Sequence, residues 1–153
     1  MPNSNSTIAL AQAAALTKGA GRGSHSPLSA ANLRVLSDRV PLQVGVFAMT
    51  EYARFGKVPQ GAVIYPTLSM LSTTHTAQIA GKFQLVPLDG SVVQDVNGVS
   101  ANPESTTTTS IASAGPDIPV LKTSWLQFVP AANTTIATIE KELRVRLVYG
   151  QTY

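Results

Sequence analysis

The segment 139–149 constrains the fold more than any other part of the chain. Leu143, Val145 and Leu147 alternate there with Glu142, Arg144 and Arg146. Successive side chains of a strand point to opposite faces. A two-residue period therefore places three aliphatic side chains in a core and three charged ones in water. Such a strand needs partners for its backbone groups and a second layer to cover its apolar face. The pattern predicts a sheet protein.

Earlier segments repeat the signal with turns between them. Leu33, Val35 and then Val40 begin a strand-like stretch, and Pro41 marks an edge position or a bend. Leu42, Val44, Val46 and Ala48 alternate with Gln43, Gly45, Phe47 and Met49, which makes the second half of this run apolar on both faces. Lys57-Val58-Pro59-Gln60-Gly61-Ala62 carries Pro and Gly at turn positions, and Val63-Ile64-Tyr65 restarts a strand. Leu68, Met70 and Leu71 follow Pro66 before a polar Ser72-Thr73-Thr74 stretch. Ala77, Ile79, Gly81, Phe83 and Leu85 alternate with Gln78, Lys82 and Gln84, and Pro87-Leu88-Asp89-Gly90 closes that strand as a turn. Residues 94–117 contain Asn97-Gly98, Asn102-Pro103, a Thr run at 106–109 and Gly115-Pro116-Asp117. They read as a long exposed loop with at most one short β stretch in the Thr run. Residues 120–129 form another strand, with Trp125, Leu126, Phe128 and Val129 as its apolar weight.

Six to eight short strands without alternating long helices predict a mostly β fold. The expected form is a single antiparallel β-sandwich or jelly-roll-like barrel over residues 31–153. Residues 1–30 differ. Ser6 or Thr7 is placed to cap a short Ala-rich helix over 8–18, which Gly19 would stop. The Gly-rich run 19–23 and Ser24-His25-Ser26-Pro27 then favour flexibility. A helix this short is marginal alone. The segment reads either as an extended N-terminal arm that orders against a neighbour or as a frayed terminus.

Charge narrows the class of function. Of 153 residues, 44% are apolar and only 12% are charged, against roughly 25% charged in an ordinary domain. A packed core is expected, under a Ser/Thr-rich surface that suits either an assembly or a weakly charged β domain. The net charge is +3, and the basic residues are scattered, Arg144 and Arg146 being the nearest to a cluster. Sequence-specific nucleic-acid binding is not expected. There is no cysteine, which excludes disulfides, thiol catalysis and Cys-based metal sites. No signal peptide is evident, and no run nears the ~20 apolar residues that span a bilayer, so cytosolic synthesis and no membrane partner are expected.

No residue set carries chemistry. His25 and His75 lie in Ser/Thr-rich sequence, and a triad with Asp38, Asp89 or Asp117 would need geometry that spacing does not supply. Asp89, Asp95 and Asn97, followed by Gly98, offer oxygen ligands but not EF-hand spacing, and are ordinary turn residues. Gly19-Ala20-Gly21-Arg22-Gly23 lacks the strand and helix of a phosphate loop. Trp125 with Phe128 would make a sugar platform if exposed; their apolar strand favours core packing. Tyr149 and Tyr153 either anchor the tail on a neighbour or flank a strand end. No catalytic, cofactor-binding or metal residue is assigned, and no enzyme activity is expected.

The stretch 40–90 resembles small virion proteins of tailed bacteriophages. The resemblance lies in an apolar strand, then Arg54-Phe55-Gly56-Lys57-Val58-Pro59-Gln60-Gly61-Ala62, a second strand, Leu71-Ser72-Thr73-Thr74, the strand 77–85 and Asp89-Gly90. Leu143-Arg144-Val145-Arg146-Leu147-Val148-Tyr149 also looks like the end of such proteins. About half the chain is covered, by turn and strand signatures. The resemblance implies a head decoration or cement protein that binds the major capsid protein, forms homo-oligomers and resides in the virion after synthesis in the host cytoplasm. A head–tail connector, a fibre or baseplate piece, or a carbohydrate-binding β domain are the alternatives.

Overall fold

A computed structural model describes residues 4–5, 33–105, 111, 114–137 and 139–151. The strands, in chain order, are β1 (Ser4–Asn5), β2 (Leu33–Leu42), β3 (Gly45–Phe47), β4 (Ala53–Val58), β5 (Ala62–Ile64) and β6 (Met70–Thr73). They continue with β7 (Ile79–Pro87), β8 (Gln94–Pro103), β9 (Ile118–Pro119), β10 (Ser124–Pro130), β11 (Thr134–Ile136) and β12 (Lys141–Gln151). One 3-10 turn, Pro66–Leu68, separates β5 from β6.

Ten strands form one folded sheet. Its order is β1-β4-β10-β7-β8-β6-β12-β5-β9, with β2 on the other edge of β12. The sheet doubles over where β8 meets β6, and β2 and β4 approach each other across the remaining gap. The mostly β, sandwich-like barrel expected from the sequence is the fold observed. Its pairings are antiparallel except β1–β4 and β6–β8, so the sheet is mixed rather than purely antiparallel. β3 and β11 pair separately and add Phe47 and Ile136 to the core.

The period-2 pattern of β12 places its side chains as expected. Leu143, Val145 and Leu147 are buried, and Arg144 and Arg146 are exposed. β12 pairs with β2 along ten residues, from Lys141↔Leu42 to Gly150↔Leu33. Leu36, Val40 and Leu42 face inward from β2, and Asp38 lies buried in phase with them. Two partners share the opposite edge of β12: β6 at 143–146 and β5 at 149–151. Ser69 fills the gap between them. Its hydroxyl accepts from the Val148 N–H at 2.9 Å and donates to the Tyr65 carbonyl at 2.8 Å, while the Tyr65 N–H reaches the Val148 carbonyl at 2.9 Å. A side chain thus stands in where the ladder is interrupted.

The core holds four fully enclosed phenylalanines, Phe47, Phe55, Phe83 and Phe128. Phe83 and Phe128 are cross-strand partners and pack edge to face with centroids 6.1 Å apart. Gly81 makes room for them, since a Cβ there would lie 2.6 Å from Phe128 Cζ and collide with the Val129 carbonyl.

Four expectations are corrected. Val44 and Val46 are exposed and Phe47 is buried, the reverse of the phase read from sequence, because the chain bends at Val44 and Gly45 takes φ +133°, which starts β3 in a new phase. Residues 94–103 are not loop: they form β8, paired with β7 and briefly with β6. Asn97-Gly98 forms a bulge opposite Lys82, with Gly98 at φ +75°, so the turn signal is used inside a strand. Residues 120–123 precede the strand, which begins at Ser124. Tyr149 is buried in the core within β12. The expected helix at 8–18, the Gly-rich run, His25, the Thr run at 106–109 and Tyr153 lie outside the described residues.

Candidate functional site

The outer face of β4, β10, β7 and β8 carries the most organised set of polar and aromatic side chains among the described residues. β10 presents Leu126 and Phe128 to the core, so Trp125 and Gln127 fall on the outer face. Register aligns Gln127 with Arg54 on one side and with Gln84 on the other, and Gln84 with Asp95. Hydrogen bonds follow that register. Arg54 Nε and Nη2 donate to Gln127 Oε1 at 3.3 and 3.1 Å. Gln127 Nε2 donates to Gln84 Oε1 at 3.1 Å, and Gln84 Nε2 to Asp95 Oδ1 at 3.0 Å. Lys82 Nζ completes the row at 2.6 Å from Asp95 Oδ2. The Lys82 ammonium holds the Asp95 carboxyl below its ordinary value of 3.8, against the opposing effect of partial burial.

Beside this row lies an aromatic–cation cluster. Lys57 Nζ sits 4.4 Å from the centre of the Trp125 ring, and the Arg54 guanidinium 5.6 Å from it. The same guanidinium is 4.8 Å from the centre of the Tyr52 ring. A β-bulge in β4 creates this grouping. Between the Trp125–Lys57 and Gln127–Arg54 pairs, β4 carries one extra residue, which brings both cations to the outer face while Phe55 stays buried.

The residues singled out from the sequence do not converge. His75 accepts the Ala77 N–H at Nδ1, 3.1 Å, which leaves Nε2 to donate to the Thr135 carbonyl at 3.3 Å. Neither ring nitrogen is turned to a serine or an aspartate. Asp89 is held by Lys122 and Ser91, which keep its carboxyl well below the usual range. Asp95 belongs to the ladder and Asn97-Gly98 to the bulge, so the oxygen-ligand set is dispersed. Among the described residues no three His, Asp or Glu side chains gather as a metal site. Trp125 and Phe128 do not form a joint platform: Phe128 is in the core and Trp125 is half-buried on the opposite face. An apolar hollow lined in part by Leu85, Pro87, Val92 and Leu121 lies at the end of β7. No described helix is long and apolar enough to cross a membrane.

The sequence reading did not single out Arg54, Gln127 or Gln84 as a group. Their juxtaposition depends on strands 73 and 43 residues apart, and only the outward phase of Lys82 and Gln84 was legible beforehand.

No protein-family model matches the chain, and no curated protein matches it. Its fold is similar to that of a chain in the cyanophage Pam1 capsid asymmetric unit. The TM-score is 0.53 at 14% identity, over 88% of this chain and 96% of that one.

Proposed function

We propose that this chain is a non-enzymatic structural protein of a phage virion that sits on the outer capsid surface as a decoration or cement protein. The observation that carries the reading is the fold shared with a Pam1 capsid chain, which extends over nearly all of both molecules. At 14% identity that likeness is one of fold, and the capsid role is our extension of it.

Three features support the extension. Val92, Leu121 and Ile139 are 91%, 67% and 66% exposed, and Val44, Val46 and Met49 are also open, which suits burial in an assembly. The outer face is ordered by cross-strand bonds into a rigid surface. His75, Asp89 and Asp95 are committed to structural bonds, which suits a role without turnover. A carbohydrate module would keep a ring face of its tryptophan open, whereas Arg54 and Lys57 lie over Trp125.

The partners in this reading are the major capsid protein and further copies of the chain. Shell reinforcement arises from many small interfaces repeated by symmetry. Co-sedimentation of the purified chain with empty heads tests it. Saturable binding in fixed ratio to the major capsid protein, with heads that resist heat better, is expected. Absence of binding together with a discrete free ring or trimer would favour a connector or fibre role instead.

A further inference from the structure

Arg54 is held in place, yet no carboxylate among the described residues is paired with it. Its Nε–Nη2 edge is engaged by Gln127, a side chain only 6% exposed, and its plane is flanked by Tyr52 and Trp125. Among the described residues Lys82, Lys122, Arg144 and Arg39 each have a carboxylate partner. Arg54 has none. Its Nη1–Nη2 fork retains donors in the planar geometry that fits a carboxylate with two parallel hydrogen bonds. Fixing a long, rotatable side chain before any partner arrives removes much of the ordering cost of binding.

The face also has the charge for such a partner. Arg54, Lys57 and Lys82 are its cations, and Asp95 is the one carboxylate in the row. A nucleic-acid backbone would call for a longer basic track. Here Lys82 is already neutralised, and the whole chain carries only +3.

We infer that the Arg54 fork, walled by Tyr52 and Trp125, is a socket for an Asp or Glu side chain on an acidic segment of a partner protein. Under the virion reading, on which the identity of the partner rests, that protein is the capsid subunit. Arg54 supplies the bidentate contact, and Gln127 holds the fork in position.

The test uses the full chain with hexaglutamate as the carboxylate probe at low salt. Binding is read by calorimetry and by emission of Trp125, the sole tryptophan. Wild type is expected to bind saturably with a change in Trp125 emission. Arg54→Gln and Arg54→Lys should each weaken binding about tenfold or more, because lysine keeps the charge but loses the fork. Arg146→Gln, on the exposed side of β12, should bind as wild type. Circular dichroism and melting temperature confirm that each variant is folded.

Full binding by Arg54→Lys would overturn the fork, and no binding by wild type would overturn the socket. Tighter binding of an oligothymidylate of equal charge, lost in Arg54→Gln, would replace a protein partner with nucleic acid and also overturn it. Empty heads separate this inference from the virion reading. If wild type and Arg54→Gln bind heads equally, the socket fails and the virion reading stands. If wild type ignores heads but binds hexaglutamate through Arg54, the virion reading fails and the socket stands.

Discussion

Val145 is 2% exposed and lies opposite Asp38, itself 7% exposed, across the β12–β2 pairing. Val145→Asp would set a second carboxylate beside a buried one in apolar surroundings. Neither desolvation nor like charge favours that arrangement. We expect a loss of about 4 kcal/mol or more, enough to unfold a domain of ordinary stability. A soluble, cooperatively melting variant would contradict the inward assignment of Val145. Acid should act on the outer face by a different route. Asp95 titrates below its ordinary value of 3.8 when folded, because Lys82 hydrogen-bonds to the charged form. Its contribution is present above the unfolded value of about 4 and fades as pH falls through the lower folded value. Melting temperature measured from pH 5 to pH 2 should therefore fall less steeply for Asp95→Asn than for wild type. Equal slopes would show that Lys82 contributes nothing through this pair.

At the scale of elements, the join between β5 and β6 is a sensitive point. The Ser69 hydroxyl accepts the Val148 N–H in a fully buried position. Ser69→Ala leaves that donor unsatisfied, with an expected cost of about 1–3 kcal/mol. Chemical denaturation should show a lower midpoint with unchanged slope. Native stability in the variant would mean that the ladder closes without the hydroxyl. Element-level features also explain what was legible in the sequence. β12 could be read because its alternation is unbroken from Glu142 to Leu147, and β7 because polar Lys82 and Gln84 alternate with buried Phe83 and Leu85. The phase after Leu42 was misread because apolar side chains occupy both faces there, and a bend at Val44–Gly45 resets the register without altering composition. β8 was missed because Asn97-Gly98 has the same residues whether it turns a hairpin or forms a bulge. The Arg54–Gln127–Gln84–Asp95 row was invisible for another reason. Each residue is ordinary alone, and the row exists only once β4, β10, β7 and β8 are in register. Trp125 was assigned to the core because its neighbours Leu126 and Phe128 belong there. A one-residue difference in phase decides which face a side chain occupies.

At the scale of the molecule, ten strands form one folded sheet whose surface carries apolar residues with few charges. Ser4–Asn5 pairs in parallel with β4 of the same chain, alongside Ala53 and Arg54. Deleting residues 1–27 removes that small edge strand and leaves β2 to β12 intact. We expect a folded domain with a nearly unchanged melting temperature but weaker sedimentation with empty heads. Equal affinity for heads would remove the arm from the account. We propose that the chain is built into a capsid, and its copy number in purified virions is the decisive measurement. Quantitative peptide mass spectrometry of gradient-purified particles should find the chain in a fixed, high ratio to the major capsid protein, in full particles and empty heads alike. Its absence from washed particles, or its presence only in infected-cell lysate, would contradict the account.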